Sequence, residues 1–345
     1  MKNTIQTDVI IIGAGPVGLF SIFQCGMMGL RCHVLDALEM VGGQCAALYP
    51  EKPIYDIPAH PMISGQGLVD QLKEQAAAFD PAYHLGTQAQ TIKKEDDYWH
   101  VTMSTGQTLQ AKSILIAAGV GAFGPKRPPI DNLVPFEKSG AVQYFIRQRA
   151  AFQDKTIVIA GGGDSALDWT ISLSEIAKKI ILVHRRDNFR AAPDSVAKID
   201  ALVAAGIVEK AIPYQLKALS GDEATGSLEQ VILSHLDGSE KSIPADILLP
   251  FFGLATDLGP LSNWGLNLHK THISVDPTSM ETSAAGIFAI GDVADYPGKL
   301  KLILTGFSEA AIASHRMRAL AFPDKVFHFE YSTTQGQPGS PSHTK

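Results

Sequence analysis

The chain has 345 residues, 45% hydrophobic and 19% charged, with a formal net charge of −6. A chain this long outgrows a single hydrophobic core, so two domains are expected. The negative balance argues against a nucleic-acid binder but leaves room for a local basic patch facing an acidic partner. Three cysteines, Cys25, Cys32 and Cys45, form neither a C-x-x-C pair nor an even-numbered framework, which fits a reducing cytoplasm and excludes a cysteine metal centre.

Asp8 to Ile12 predicts a buried parallel strand running into GAGPVG at 13–18. In such a motif Gly13 permits the tight turn, Gly15 lets backbone approach a pyrophosphate, and Gly18 lets the following helix pack on the sheet. The phosphates would sit at that helix's positive end. The next apolar run, Cys32 to Leu35, ends in Asp36, whose carboxylate can accept from ribose hydroxyls. The apolar stretch from Val9 to Phe23 is broken by glycines and a proline, so it reads as neither a signal peptide nor a membrane span.

LYPEKPIYDIPAHP at 48–61 reads as loop. Leu68, Val69, Leu72 and Ala76 then fall at helical spacing and predict a helix from Gly67 to Phe79. Trp99 to Ser104 and Ser113 to Gly119 predict strands around a turn at Gly106-Gln107, and GPKRPP at 124–129 has the breaker density of a linker.

A second fingerprint, GGGDSA at 161–166, follows the strand-like Thr156 to Ala160. Gly161, Gly163 and Ala166 give G-x-G-x-x-A, which suits a nicotinamide dinucleotide. The next strand, 180–183, ends in His184, Arg185 and Arg186, with Arg190 close behind, instead of an acid. Guanidinium forks match a ribose 2′-phosphate, so this unit reads as selecting NADP(H) over NAD(H). His184 reads as part of that turn, since the histidines show no ligand spacing such as H-E-x-x-H.

DILLPFFG at 246–253 marks the return crossing, because GIFAIGD at 286–292 resembles no part of a nicotinamide unit. The expected architecture is α/β: two Rossmann-like dinucleotide-binding domains, with the NADP(H) domain (122–251) inserted into a discontinuous FAD domain (1–121 and 252–345). A last helix is expected from about Gly306 to Leu320. The polar, Gly/Pro/Ser-rich end of the chain reads as a tail.

GAGPVG, GGQ followed by ALYPEKPIYDIP, HRRDNFRA, GIFAIGDV, KLILTGFSEA and YSTT together resemble the thioredoxin-reductase-like ferredoxin:NADP(+) oxidoreductases over nearly the whole chain. The resemblance implies electron exchange between ferredoxin (or flavodoxin) and NADP(H) through FAD, in either direction, in a cytoplasmic homodimer, with no acid–base residue. It also implies FAD contacts from Asp36, Gln44, Tyr49, the backbone of Ala89, Phe123 at the hinge, Asp292 on the ribityl chain and Thr333. Tyr331 would stack on the flavin face opposite Tyr49. Lys126, Arg127, Lys299 and Lys301 are candidates for steering the carrier.

Where thioredoxin reductases carry their redox C-x-x-C, this chain has Tyr144, Phe145, Ile146 and Arg147. Cys45 follows Gly42, Gly43 and Gln44, but the position where a second thiol would stand is Pro50, so Cys45 reads as a small buried residue. A flavin monooxygenase signature would need a histidine where Asp257 stands. Two rivals remain open: a thiol or peroxide reductase using Cys45 alone, and a non-catalytic NADPH-sensing module.

Overall fold

The computed structural model describes residues 4–325, and at 122–123 and 254–256 the backbone alone. Two compact units emerge, one from the residues up to Phe123 together with those from Thr256 onward, the other from Gly124–Ala255. The inserted unit thus spans 124–255 where the sequence suggested 122–251. The two crossings are paired strands, Ala122–Pro125 and Leu254–Asp257, and the observed limits fall within them.

The first unit is built on five parallel strands in the order 287–289, 113–116, 9–12, 32–35, 82–84. The central strand Val9–Ile12 is buried along its whole length, as a strand covered on both faces must be. The edge strand Ile287–Ala289 arrives from far along the chain, which makes the unit discontinuous. Smaller sheets in the orders 4–6, 108–111, 98–103, 89–95 and 268–269, 272–274, 294–295, with a two-stranded pair of 53–54 and 63–64, also belong to it. Within the first of these the expected strand at 99–104 runs one residue earlier, over Tyr98–Met103. The strand expected over 113–119 ends at Ile116, ahead of the left-handed turn at Gly119.

Helix ends differ from the sequence reading for identifiable reasons. The helix expected from Gly67 to Phe79 is Gly65–Ala77, because Ser64 Oγ accepts from Gly67 N at 3.0 Å and caps it earlier. The last helix is Ile303–Ala321 and starts ahead of Gly306. Gly306 lies inside that helix, where a Cβ would come within 2.4 Å of Val17 Cγ2. Its glycine therefore serves close packing of this helix on the first one, Pro16–Met27.

The second unit has a parallel sheet in the order 208–211, 179–183, 156–160, 247–250, and a separate antiparallel sheet of 214–222, 227–235 and 240–244. Each unit therefore places a glycine turn at the carboxyl end of a central parallel strand, where ligands of doubly wound sheets bind. Among the described residues no helix is long and apolar enough to cross a membrane.

Candidate functional site

In the first unit a cavity of about 300 Å³ opens at the carboxyl ends of the parallel strands. Its wall includes Gly13, Gly15, Asp36, Gln44, Tyr49, Ala89 and Asp292, which lie far apart in the sequence. Gly13 turns with φ +109°, a value that favours glycine, and a Cβ there would lie 2.3 Å from Ala117 O. At Gly18 a Cβ would lie 1.9 Å from Gly13 O, so this glycine serves helix-on-strand packing. Gly15 is different, because a Cβ there would meet nothing closer than Gly43 Cα at 3.9 Å. Protein packing does not demand glycine at this position. The bareness is directed at the cavity.

Gly15 is also the N-terminal cap residue of Pro16–Met27 and has no side chain to satisfy the helix's first N–H groups. Those groups and the aligned peptide dipoles favour an anion. Asp36 Oδ2 accepts from Ala14 N at 2.6 Å and Oδ1 from Leu38 N at 2.8 Å, so the carboxylate is clamped at the strand end with lone pairs to spare. Burial pushes its pKa up, against the lowering by those two N–H groups.

Asp292 sits in the short turn Gly291–Val293 directly after the edge strand. Gly291 N donates to Glu309 Oε2 at 2.7 Å, which pins the turn to the last helix. The Asp292 carboxylate faces the cavity without a partner among the described residues, ready to accept from a polyol hydroxyl. Leu302 and Ile303, the N-terminal end of that helix, also line the wall. Gln44 and Cys45 come from the five-residue helix Gly43–Ala47, and Tyr49 follows it. The thiol of Cys45 is buried, lies 3.5 Å from Tyr49 Oη, and is pushed up by burial, so it is a poor thiolate. All three cysteines are free.

Several wall residues have no motif behind them. Thr87 and Gln88 precede Ala89, and Leu258, Pro260 and Leu261 enter after the second crossing. Gly119 and Gly121 also line the cavity, and the glycine density of AAGVGAFG after a buried strand was the one signal available for them. The Phe123 side chain, Tyr331 and Thr333 lie outside the described residues.

In the second unit a Cβ on Gly161 would lie 2.7 Å from Phe251 O, whereas one on Gly163 would meet only Arg190 O, at 4.0 Å. The middle glycine is again the uncrowded one. Gly163 caps the helix Asp164–Leu173. Asp164, an acid in that first turn, accepts from Ala192 N at 2.9 Å. The arginine loop is fastened to the fingerprint by Arg190 N donating to Gly162 O at 2.6 Å. The His184 ring underlies Gly162, where a Cβ would fall 2.1 Å from it, and stacks on Phe189 at 5.3 Å. Burial and the neighbouring arginines lower its pKa, so it packs as a neutral ring. Arg185, Arg186 and Arg190 are exposed, and none pairs with a carboxylate among the described residues.

The carrier-steering candidates separate sharply. Lys299 is buried against Glu309, which removes it from any docking surface. Arg127 is held by Glu137, with contacts of 2.8 and 2.5 Å, and Lys126 and Lys301 are exposed.

The pyridine nucleotide-disulphide oxidoreductase family matches residues 7–313. A ferredoxin–NADP reductase of Gluconobacter oxydans is 54% identical over 337 residues, covering 98% of each chain. One from Rhodospirillum rubrum is 53% identical, covering 99% of each chain. Among solved structures, a thioredoxin reductase of T. acidophilum superposes with a TM-score of 0.78 at 22% identity, over 91% of this chain and 98% of that one, a likeness of fold.

Proposed function

The chain belongs to the pyridine nucleotide-disulphide oxidoreductase family, and on that premise we propose that it works as a ferredoxin–NADP reductase, exchanging electrons between ferredoxin and NADP(H) through FAD without a redox disulfide. The observation that carries this reading is the pair of uncrowded middle glycines, Gly15 and Gly163. Each stands at a helix N-terminus and leaves room that the protein itself does not use, which is what two dinucleotides need.

FAD, when bound, would supply the redox chemistry that couples a one-electron carrier to a hydride carrier. The residues orient and polarise. Gly15 and the N–H groups of the first helix receive the pyrophosphate, Asp36 accepts from the adenosine ribose, and the Ala89 backbone meets the adenine. Asp292 accepts from the ribityl chain, while Gln44 and Tyr49 stand against the ring. The N-terminal end of Ile303–Ala321, whose Leu302 and Ile303 line the cavity, would offer partial positive charge to the bound group. For Phe123, Thr333 and Tyr331 the roles are those that the resemblance implies, on side chains outside the described residues.

In the inserted unit, Gly161 and Gly163 hold the second dinucleotide. Arg185, Arg186 and Arg190 take its 2′-phosphate, which makes NADP(H) the preferred nucleotide. The resemblance further implies a homodimer, and three buried free thiols fit a reducing cytoplasm. Flavodoxin is the alternative carrier.

The test is anaerobic NADPH titration of the purified chain, followed optically, with and without ferredoxin, in parallel with a variant in which all three cysteines are serine. NADPH should bleach one noncovalent FAD, ferredoxin should restore it, and the variant should behave alike. Activity lost in Cys45→Ser with FAD retained would favour the thiol reductase. Bleaching without turnover to any carrier would favour an NADPH sensor.

A further inference from the structure

The segment that runs from behind the Asp292 turn into the first turn of the last helix, Ile303–Ala321, is unusually rich in exposed leucine. It reads Lys299-Leu300-Lys301-Leu302-Ile303-Leu304, and Leu300, Leu302 and Leu304 are 61%, 39% and 43% exposed. Leu302 is at once open to solvent and part of the cavity wall, so it stands between solvent and the proposed flavin site. An outer-surface leucine cluster costs hydration without repayment in a free monomer, and clustered exposed apolar residues mark contact sites.

The charges around these leucines are arranged, not scattered. Lys301 Nζ donates to His272 Nε2 at 2.7 Å, which holds the ammonium beside the leucines. His272 pairs with His269 across a tight hairpin whose turn carries Lys270, also exposed, and Leu268 on the same hairpin is exposed as well. Of the two carboxylates that act on His272, Asp295 is occupied by His269 Nδ1 at 2.8 Å and Asp292 lines the cavity. The local surface is therefore an apolar centre with two lysines at its edge, on a chain whose net charge is −6. An acidic partner is repelled by the molecule at large and favoured at a spot of this kind.

We propose that the surface formed by Leu300, Lys301 and Leu304, with Lys270 and Leu268 on the adjoining hairpin, is the docking face for a small acidic one-electron carrier protein, and that electrons cross at Leu302. The proposal rests on the ferredoxin–NADP reductase reading and adds the place of contact. Direct encounter here needs no rearrangement of the wall, because Leu302 already separates partner from cavity.

The test uses the FAD-loaded full chain, a [2Fe–2S] ferredoxin and, as a small acceptor that needs no docking face, ferricyanide. The variants are Lys301→Glu and Leu300→Asp, both at exposed positions outside the cavity wall. The ferredoxin KM should rise about tenfold at low salt in each, and the effect of Lys301→Glu should shrink as salt is raised. NADPH-driven ferricyanide reduction and the flavin spectrum should stay as in the wild type. If wild type reduces ferredoxin and both variants do so with unchanged KM, the docking face is elsewhere and the proposal falls while the functional reading stands. If wild type reduces ferricyanide but not ferredoxin, the functional reading falls and takes the proposal with it. A halved mass in light scattering for both variants, with unchanged ferredoxin kinetics, would make this face a contact between two copies and overturn the proposal.

Discussion

Lys299 and Glu309 form an ion pair in which both side chains are almost sealed from water, 4% and 2% exposed, directly behind the turn that carries Asp292. The same carboxylate accepts from Tyr296 Oη at 2.5 Å and from Gly291 N at 2.7 Å, so one residue of the last helix ties together the turn, the loop after it and the helix itself. A buried pair of this kind is weak evidence for net stability, but removing one partner strands the other charge.

Lys299→Met should therefore lower the unfolding free energy by roughly 3 kcal/mol and weaken FAD retention, read by urea denaturation and by flavin release on dilution. The double variant Lys299→Met with Glu309→Gln should recover much of the loss, since the amide oxygen still accepts from Gly291 N and no charge is stranded. A double variant as unstable as the single one would show that geometry, not charge, sets the cost.

Gly15→Ala and Gly18→Ala should part company. A methyl at Gly15 meets only Gly43 Cα at 3.9 Å, so the variant should melt like wild-type apoprotein while losing FAD affinity by at least about tenfold, because the methyl occupies phosphate space. A methyl at Gly18 would sit 1.9 Å from Gly13 O, so that variant should be destabilised even without cofactor. Thermal melts of apoproteins and flavin titrations separate the two.

Arg185→Ala with Arg186→Ala should lower the NADPH over NADH preference by at least about tenfold, since charge-assisted contacts to phosphate contribute ~1.5 to 3 kcal/mol each. The measurement is kcat/KM for both nucleotides with ferricyanide as acceptor. Unchanged preference would remove these arginines from the site.

His33 Nδ1 and His84 Nε2 lie 2.9 Å apart on adjacent parallel strands at the edge next to Asp36. Burial lowers both pKa values, and His33 is lowered further by His84 and Arg31. A histidine whose folded pKa is depressed binds its proton first in the unfolded chain. The pair's stabilisation is therefore full above the unfolded pKa of about 6.5 and is lost as pH falls below it. His84→Gln should flatten part of the decline in urea midpoint between about pH 6.5 and 5; parallel curves for wild type and variant would sink this account.

The division of labour between sequence and structure follows from the range of the forces involved. Both fingerprints, the acid closing the first βαβ unit, the arginines closing the second and the absence of a redox cysteine pair were legible, because turn chemistry and strand burial act over a few neighbouring residues. Gly15 and Gly18 could be given separate tasks from their motif alone. Lys299 and Lys301 could not be told apart, because two lysines two residues apart carry the same local signal, and only the arrival of Glu309 from the last helix buries one and leaves the other outside. The last helix was expected to start at about Gly306, whereas that glycine lies inside it and answers to Val17 on another helix. The cavity wall at Leu258, Leu261, Leu302 and Ile303 was invisible for the same cause: leucine and isoleucine in a chain announce burial, but which cavity they face is fixed only when segments hundreds of residues apart pack on one sheet.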